Sequence, residues 1–381
     1  MTLPPHMQLF ETLQSKVSAR ETVKPAQIFE LSPDQYLNSE RLEKEKREVF
    51  RTRPVIIGHM DQLKRAGDFF THDHLGTPLL VVKGQDEVVR VFLNVCRHRG
   101  MRLVTDMDAG RKPAFVCPYH NWTYGLEGDL EHVPLQEAFD GADLSCRSLK
   151  GVRCQVKHGF IWVQLDDTPI DVTDWLGSIN SDLEALDTQA QYLFRQTTTV
   201  RKTNWKLIIE AFQDGYHVTR LHKKTVGPFF EDSVYANDQE GEHLRAAVMR
   251  QEFSETFDLP PEQWDARRHV SFSHYIFPNT ILVFHPDYIS HLGLFPQSVD
   301  ETVICHSFLV PEMPQTEKAI DHCERSFDLI ENGVFQSEDY FACENIQAGL
   351  MSGANDTLLV GAHEDGIRLF HDILETAMCG G

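Results

Sequence analysis

Two cysteines and two histidines stand close together between Asn94 and Trp122. Cys96 and His98 are spaced C-x-H. Cys117 and His120, spaced C-x2-H, follow after residues 99–116. Two thiolates and two imidazoles from two loops can hold a metal centre in two ways. One is a single tetrahedral zinc ion. The other is a [2Fe–2S] cluster with one iron on sulfur and one on nitrogen, an arrangement in which the imidazoles raise the reduction potential. Zinc loops usually pair cysteines with each other, whereas here each pair mixes one Cys with one His, which favours the cluster. Gly100 follows the first pair, and Pro118 sits inside the second, where a stiff turn can shield sulfur from water. Packing of the four side chains without a metal is the remaining alternative.

A second set lies in TNWKLIIEAFQDGYHVTRLH, residues 203–222. At helical periodicity Trp205, Ile208, Ile209, Phe212 and Tyr216 share an apolar face, and Glu210, Asp214 and His217 form a polar stripe opposite it. Such a stripe is ordinarily solvated. His222 changes the reading, because it lies five residues beyond His217 and so points about 140° away on an ideal helix. Both imidazoles can meet one metal only if the helix is bulged or broken, an irregularity that often marks a functional site.

The first stretch resembles the Rieske pattern C-x-H-R-G … C-P-Y-H-x-W. The second, N-W-K … E-x3-D-x2-H-x4-H, is similar to the mononuclear iron motif of Rieske non-haem iron oxygenases, specifically their catalytic (alpha) subunits. The two motifs, in this order, cover most of the chain. The resemblance implies that Cys96, His98, Cys117 and His120 bind the Rieske cluster. It implies that His217 and His222 are two arms of a 2-His-1-carboxylate triad whose Fe(II) keeps positions open for O2 beside a substrate. The third arm comes from a late helix in the family, and QSEDYFACENIQAGL (336–350) resembles that segment. Asp339 is the expected ligand, Glu338 the neighbouring alternative and Glu344 a weaker one.

Family subunits form head-to-tail trimers in which the cluster of one subunit meets the iron of the next. Carried over, His120 of one subunit bonds Asp214 of its neighbour, which also holds His217. A carboxylate accepting from two ligand imidazoles fixes both rings. Glu210 is a candidate second support, and Asn204 is implied to stand near the iron and orient a ligand or water. The implied assembly is a homotrimer (α3, or an α3α3 hexamer, with a β subunit left open). Its implied electron source is NAD(P)H, indirectly, through a partner reductase or ferredoxin, with O2 as co-substrate.

The elements that must position these groups are legible in outline. Residues 1–50 read as a polar, helical segment packing on the catalytic domain. Residues 51–166 read as a small all-β domain, with short strands in VIIGHM, PLLVVKG, VVRVFLNVC, PAFVC and GFIWVQL and both metal loops at strand tips. Asp166-Asp167-Thr168-Pro169 is a plausible boundary. Residues 167–381 read as the mononuclear iron domain. A helix is expected over 171–186, strands over 193–202, 245–253, 269–277, 279–297 and 302–310, and a helical run over 317–352 with a break at Gly333. The fold class is α+β, an all-β domain followed by an antiparallel sheet flanked by helices of helix-grip (START-like) type.

Composition narrows the partners. A net charge of −21 argues against nucleic acid or an anionic membrane surface. No apolar run reaches membrane-spanning length and the first residues lack signal-peptide character, so a cytoplasmic location is expected. Eight cysteines then need not form disulfides. The expected reaction is O2-dependent hydroxylation of a small, aromatic substrate in aromatic compound catabolism. The alternative is monooxygenation or demethylation of a methylated amine or betaine-like compound. Phe212, Tyr216, Leu221, Phe284 and Phe295 are the candidate substrate contacts; sequence alone assigns no Arg to the pocket or away from it, so a carboxylated substrate is neither supported nor excluded.

Overall fold

A computed structural model describes residues 5–19, 28–106, 109–260 and 263–379. The chain divides into two units, Phe50–Val172 and the combination of Met1–Val49 with Thr173–Gly381. The divide lies beyond the Asp166–Pro169 turn because residues up to Val172 are still tied to the first unit. The Val172 amide, for example, donates to Gln155 Oε1 at 2.9 Å.

The Phe50–Val172 unit is all-β. Seven strands pair in the order Val55–His59, Phe160–Gln164, Gly151–Lys157, Val89–Leu93, Leu79–Lys83, Asp68–His72 and Ala109–Arg111. A smaller sheet joins Phe115–Val116, Thr123–Tyr124 and Leu130–His132. Asp68–His72 is absent from the strands expected above. Its Phe69 packs edge-on against Phe115 at 5.4 Å, inside one apolar cluster that also contains Cys96, Cys117, Trp122 and Tyr124.

The other unit is built on a second seven-stranded antiparallel sheet. Tyr192–Arg201 pairs with Glu301–Val310, after which the order runs back through Ile289–Ser298, Thr280–Phe284, Val270–Ile276, His243–Arg250 and Phe230–Glu240. The last strand, FEDSVYANDQE, carries too many acids for an apolar alternation to be visible. It is an edge strand, where charge is tolerated, and a two-residue turn with Gly241 at φ 56° returns it to its neighbour. Helices Tyr340–Met351 and Asp365–Cys379 pack on helix Trp205–Gln213. Ile367, Phe370, Leu374 and Ala377 form the buried stripe of the last helix, and Phe370 meets Trp205 edge-on at 5.7 Å. The helical run from Glu317 does not break at Gly333. It widens into π geometry over Leu329–Asp339 and resumes as Tyr340–Met351.

The described part of residues 1–49 belongs to this unit, and Phe50 to the other. That part adds a helix, Pro5–Ala19, and a strand, Phe29–Leu31, paired with Leu358–Val360. Phe10 stacks on Trp264 at 4.6 Å. No helix among the described residues is long and apolar enough to cross a membrane.

Candidate active site

The cluster loops are held by backbone turns and apolar packing. The Cys96 amide donates to Met101 O at 2.7 Å and the Gly100 amide to Cys96 O at 3.0 Å. In the second loop the Cys117 amide donates to Trp122 O at 2.9 Å and the Asn121 amide to Cys117 O at 3.0 Å. Gly100 and Asn121 both have positive φ, which turns each loop back on its ligand pair. Both cysteines are buried, and burial pushes the Cys117 thiol up, with the Cys96 thiol beside it adding to the effect. Tyr124 Oη lies 3.4 Å from Cys96 Sγ and accepts from the Arg97 amide at 2.8 Å. His98 stacks flat on Trp122 at 4.8 Å and meets His120 edge-on at 4.7 Å.

Two buried thiols and two facing imidazoles, one with a buried and unpartnered Nδ1 at His98, suit a metal group that takes both donor types. Among the described residues, groups of three or more His, Cys, Asp or Glu with ligand atoms mutually within 4.8 Å comprise His217, His222 and Asp339 alone.

The second site forms where helix Trp205–Gln213 stops. Asp214 turns extended (φ −108°, ψ 105°), and a single helical turn, Val218–Leu221, follows with His217 before it and His222 after it. The irregularity thus precedes His217 instead of lying between the histidines. The short turn brings the two rings to 5.2 Å. Asp339 approaches from the end of the π segment, with Oδ1 at 3.2 Å from His222 Nε2 and 3.7 Å from His217 Nε2. That oxygen is buried and lacks a hydrogen bond of good geometry, and the three donor atoms lie within 4.8 Å of one another. The donor set, two imidazoles and one carboxylate, fits a ferrous ion.

Glu338 and Glu344 point elsewhere. Glu338 Oε2 meets His222 Nδ1 at 2.7 Å and accepts from Thr225 Oγ1 at 2.6 Å, so it grips the far side of the ring. Glu344 Oε1 accepts from the Lys202 amide at 3.0 Å. Burial pulls the His222 pKa down, but the negative charge of the Asp339 oxygen close to Nε2, with the hydrogen bond and charge of Glu338, more than reverses this. Asp214 Oδ1 accepts from the Tyr216 amide at 2.6 Å, and Oδ2 lies 3.2 Å from His217 Nδ1.

Two expectations for this helix are corrected. Asn204 is not beside the triad. It caps the far end of the helix, accepting from the Lys206 amide at 3.1 Å and donating at 2.9 Å to both Tyr36 O and Val299 O. The helix length sets it roughly 15 Å from Asp214. The N-W-K triplet is an anchor, since Trp205 Nε1 and Lys206 Nζ both donate to the buried Glu45 carboxylate at 2.8–3.0 Å. Glu210 does not support Asp214 either. It accepts from Tyr36 Oη at 2.7 Å and meets His371 Nε2 at 2.9 Å.

A cavity of about 270 Å³ opens on His217, His222 and Asp339. Phe212 lines it; the other four expected contacts do not. Tyr216 is exposed, because the helix has already ended, and its ring lies under the Arg220 guanidinium at 4.3 Å. Leu221 faces a separate cavity of about 540 Å³ that shares Asp214, His217 and Asp339 as a wall. Phe284 is buried on the opposite side of its strand from Val283 and His285, which do reach the cavity, and it packs against His274 at 5.1 Å. Phe295 is likewise fully packed and lines neither space.

Comparison with known proteins decides the family. The Rieske [2Fe-2S] domain profile matches residues 53–154, and the ring hydroxylating alpha subunit (catalytic domain) profile matches residues 189–380. The chain is a Rieske oxygenase alpha subunit. The carnitine monooxygenase oxygenase subunit of Escherichia coli (strain K12) is 28% identical over 357 residues, covering 89% of this chain and 91% of that protein. The glycine betaine monooxygenase oxygenase subunit of Chromohalobacter salexigens is 32% identical over 187 residues, covering 49% and 42%. A quaternary ammonium Rieske monooxygenase crystallised with L-carnitine shares the fold at a TM-score of 0.77 and 22% identity, covering 91% of this chain and 94% of that one. Naphthalene 1,2-dioxygenase from Rhodococcus sp. does so at 0.78 and 19%, covering 99% of both.

As a Rieske oxygenase alpha subunit the chain works with a [2Fe–2S] cluster, a mononuclear iron, O2 and electrons from NAD(P)H by way of a reductase or ferredoxin. Sequence reasoning missed several residues that line the cavity, among them Phe229, Phe230, Tyr235, Arg250, Tyr288 and Phe335. Strand alternation offered a signal for Arg250. In RAAVMR, Ala246, Val248 and Arg250 share one face, and all three reach the cavity. The edge strand that carries Phe230 and Tyr235 was not visible, so those residues had no signal.

Proposed function

We propose that the chain hydroxylates a small organic substrate held in the 270 Å³ cavity, with His217, His222 and Asp339 as the iron ligands and Cys96, His98, Cys117 and His120 as the cluster ligands. The observation that carries this is the convergence of the three donor atoms within 4.8 Å on the cavity wall. When bound, the iron supplies O2 activation and the cluster supplies electrons one at a time. The protein's part is to fix geometry. Glu338 orients the His222 ring from behind and Asp214 does the same for His217, so each imidazole keeps the nitrogen that faces Asp339 free to ligate. Phe212 and Phe335, packed edge-on at 5.6 Å, wall the substrate space.

The assembly we propose is a homotrimer in which His120 of one subunit bonds Asp214 of its neighbour. Two things support it. Asp214 faces both cavities, and the fold is shared with a quaternary ammonium Rieske monooxygenase whose structure was described in terms of inter-subunit electron transfer. A cytoplasmic location goes with it.

For the substrate, the reading with most support is monooxygenation at an N-methyl group of a methylated amine. The carnitine and glycine betaine monooxygenases among its relatives favour this, and aromatic rings facing a cavity attract a cationic methylammonium group. An arene is the second reading, favoured by the apolar faces of the same rings. O2 uptake with a surrogate reductase across methylated amines, aromatic acids and hydrocarbons, with product mass spectrometry, tests both. Oxygenated or demethylated amine products are expected. Products from hydrocarbons alone would replace the first reading with the second, and absence of any oxygenated product across the three classes would count against both.

A further inference from the structure

The cavity that holds the triad also holds a cation and a group of polar atoms that the chain leaves without partners. Arg250 is the sole Lys or Arg among the described residues that line it. It ends strand His243–Arg250, and its guanidinium lies over Phe229 at 5.8 Å and Phe230 at 5.5 Å, two rings that also face the cavity. Its Nε is buried without a hydrogen bond, and the Glu252 Oε2 that stands 3.8 Å from it is buried and without a hydrogen bond as well. At that distance the pair is not hydrogen-bonded, so Arg250 keeps its donors largely unspent.

Further unpartnered atoms line the same space. Ser271 Oγ, Ser273 Oγ, His285 Nε2 and both amide atoms of Gln213 are buried and lack any hydrogen-bond partner. Gln213 is 1% exposed and Ser271 7%. The ladder registers explain why they gather. Ser271 pairs with Val248 and Ser273 with Ala246, so both serines sit beside the cavity-facing residues of the Arg250 strand. His285 comes two residues after Val283, the partner of Ser273 on the next strand, and so lies on the same strand face. Burial pushes the His285 pKa to about 3, so this imidazole is neutral and does not compete as a cation. Buried polar atoms in a folded protein are almost always satisfied, so an unsatisfied set lining one cavity with a single guanidinium calls for a ligand with polar atoms of its own.

We propose that Arg250, with Ser271 and His285 beside it, forms an oxyanion-binding subsite, and that the substrate of this oxygenase is a small organic acid. Its anionic group, a carboxylate or a sulfonate, docks at Arg250 while another carbon of the molecule is presented to the triad. A guanidinium backed by aromatic rings is pre-organised for such a group, and a charge-assisted bond there fixes which carbon is reached. This rests on the oxygenase reading above.

The test uses the holoenzyme and defined probes. Phenylacetate and 4-(trimethylammonio)butanoate, their sulfonate analogues and their methyl esters are each titrated by calorimetry and by substrate-stimulated O2 uptake. Wild type is expected to bind at least one acid, with its ester weaker by about 10- to 100-fold, the size of a lost hydrogen bond to a charged group. Arg250→Met removes that preference by weakening the acid alone, and Arg250→Lys restores part of it. Carboxylate against sulfonate identifies the preferred anion. Ser271→Ala gives a smaller loss in the same direction and serves if Arg250→Met does not fold. Equal affinity for acid and ester in wild type, equal loss of both in Arg250→Met, or no acid bound at millimolar concentration would each overturn the proposal. Iron content and the reduced-cluster EPR signal are read in the same samples. If these and O2 reduction are normal while the acid preference is absent, the anion subsite fails and the oxygenase reading stands.

Discussion

The two metal sites are built in opposite ways. The proposed cluster ligands lie within twenty-five residues, Cys96 to His120, on loops whose own backbone turns and apolar core hold them. The proposed iron ligands come from two places far apart in the chain, His217–His222 and Asp339, and acids bond each imidazole ring from behind. A locally coded site needs turns. A site assembled from distant segments needs a rigid frame, and here that frame is stiffened by buried charge.

Asp182 is the clearest example. Buried completely, it takes Arg245 Nη1 at 2.9 Å, the His6 amide at 2.6 Å and His274 Nε2 at 3.3 Å, and so ties a helix, a sheet and the first described helix together. Glu45 with Lys206 and Glu331 with His306 repeat the device elsewhere in the same unit.

The sharpest way to break this comparison is to remove one ligand from each site. His217→Ala should abolish product formation and lose the mononuclear iron while keeping the cluster's colour and EPR signal. Cys96→Ser should lose the cluster and leave iron binding intact. Joint loss of both metals in either variant would mean that the sites are not independently built.

Next comes Asp182→Asn, which leaves Arg245 with a neutral partner and should cost about 3–5 kcal/mol in thermal or denaturant unfolding of the unit that carries it. The pH dependence follows from the same group. Burial alone would raise the Asp182 carboxyl, but hydrogen bonds from His274, His6 and Arg245 hold it well below the usual carboxylate range. Its contribution is therefore fully present above the unfolded Asp pKa of about 4 and is lost as pH falls below it. Acid should open the iron unit before the cluster unit, and the variant should show a flatter slope. Simultaneous acid loss of both units in wild type would contradict the contrast.

Asp214→Asn should retain both metals and slow turnover by about 10- to 100-fold, as expected for a group that orients a ligand. Glu338→Gln should weaken iron binding by about tenfold, with Asp339→Asn losing the iron outright. A reversal of those two would exchange their roles. Phe212→Leu should alter substrate preference, whereas Phe284→Leu, off the cavity, should cost about 1 kcal/mol of stability and leave preference unchanged.

The same contrast explains what could be read from sequence. The cluster loops were legible because ligands, glycine and proline lie side by side. His217 and His222 were legible as a pair, yet the helix ends at Gln213, and periodicity continued through that end misplaced Tyr216. Asn204 and Glu210 shared a motif with the ligands but serve as a helix cap and a buried acceptor, roles that depend on Tyr36 and His371 from remote segments. Arg250 shares a strand face with Ala246 and Val248, a signal in the alternation of RAAVMR, but which face meets the cavity is set by pairing with remote strands.

The central claim is that electrons stored in the cluster are used for chemistry at the His217, His222 and Asp339 site. A single turnover measures this directly. Chemically reduced wild type and His217→Ala are each mixed with a productive substrate and O2, and cluster EPR and product are followed together. The account predicts cluster oxidation with matching product in wild type. In the variant it predicts a cluster that reduces normally but gives no product. Product from His217→Ala at the wild-type yield would contradict it.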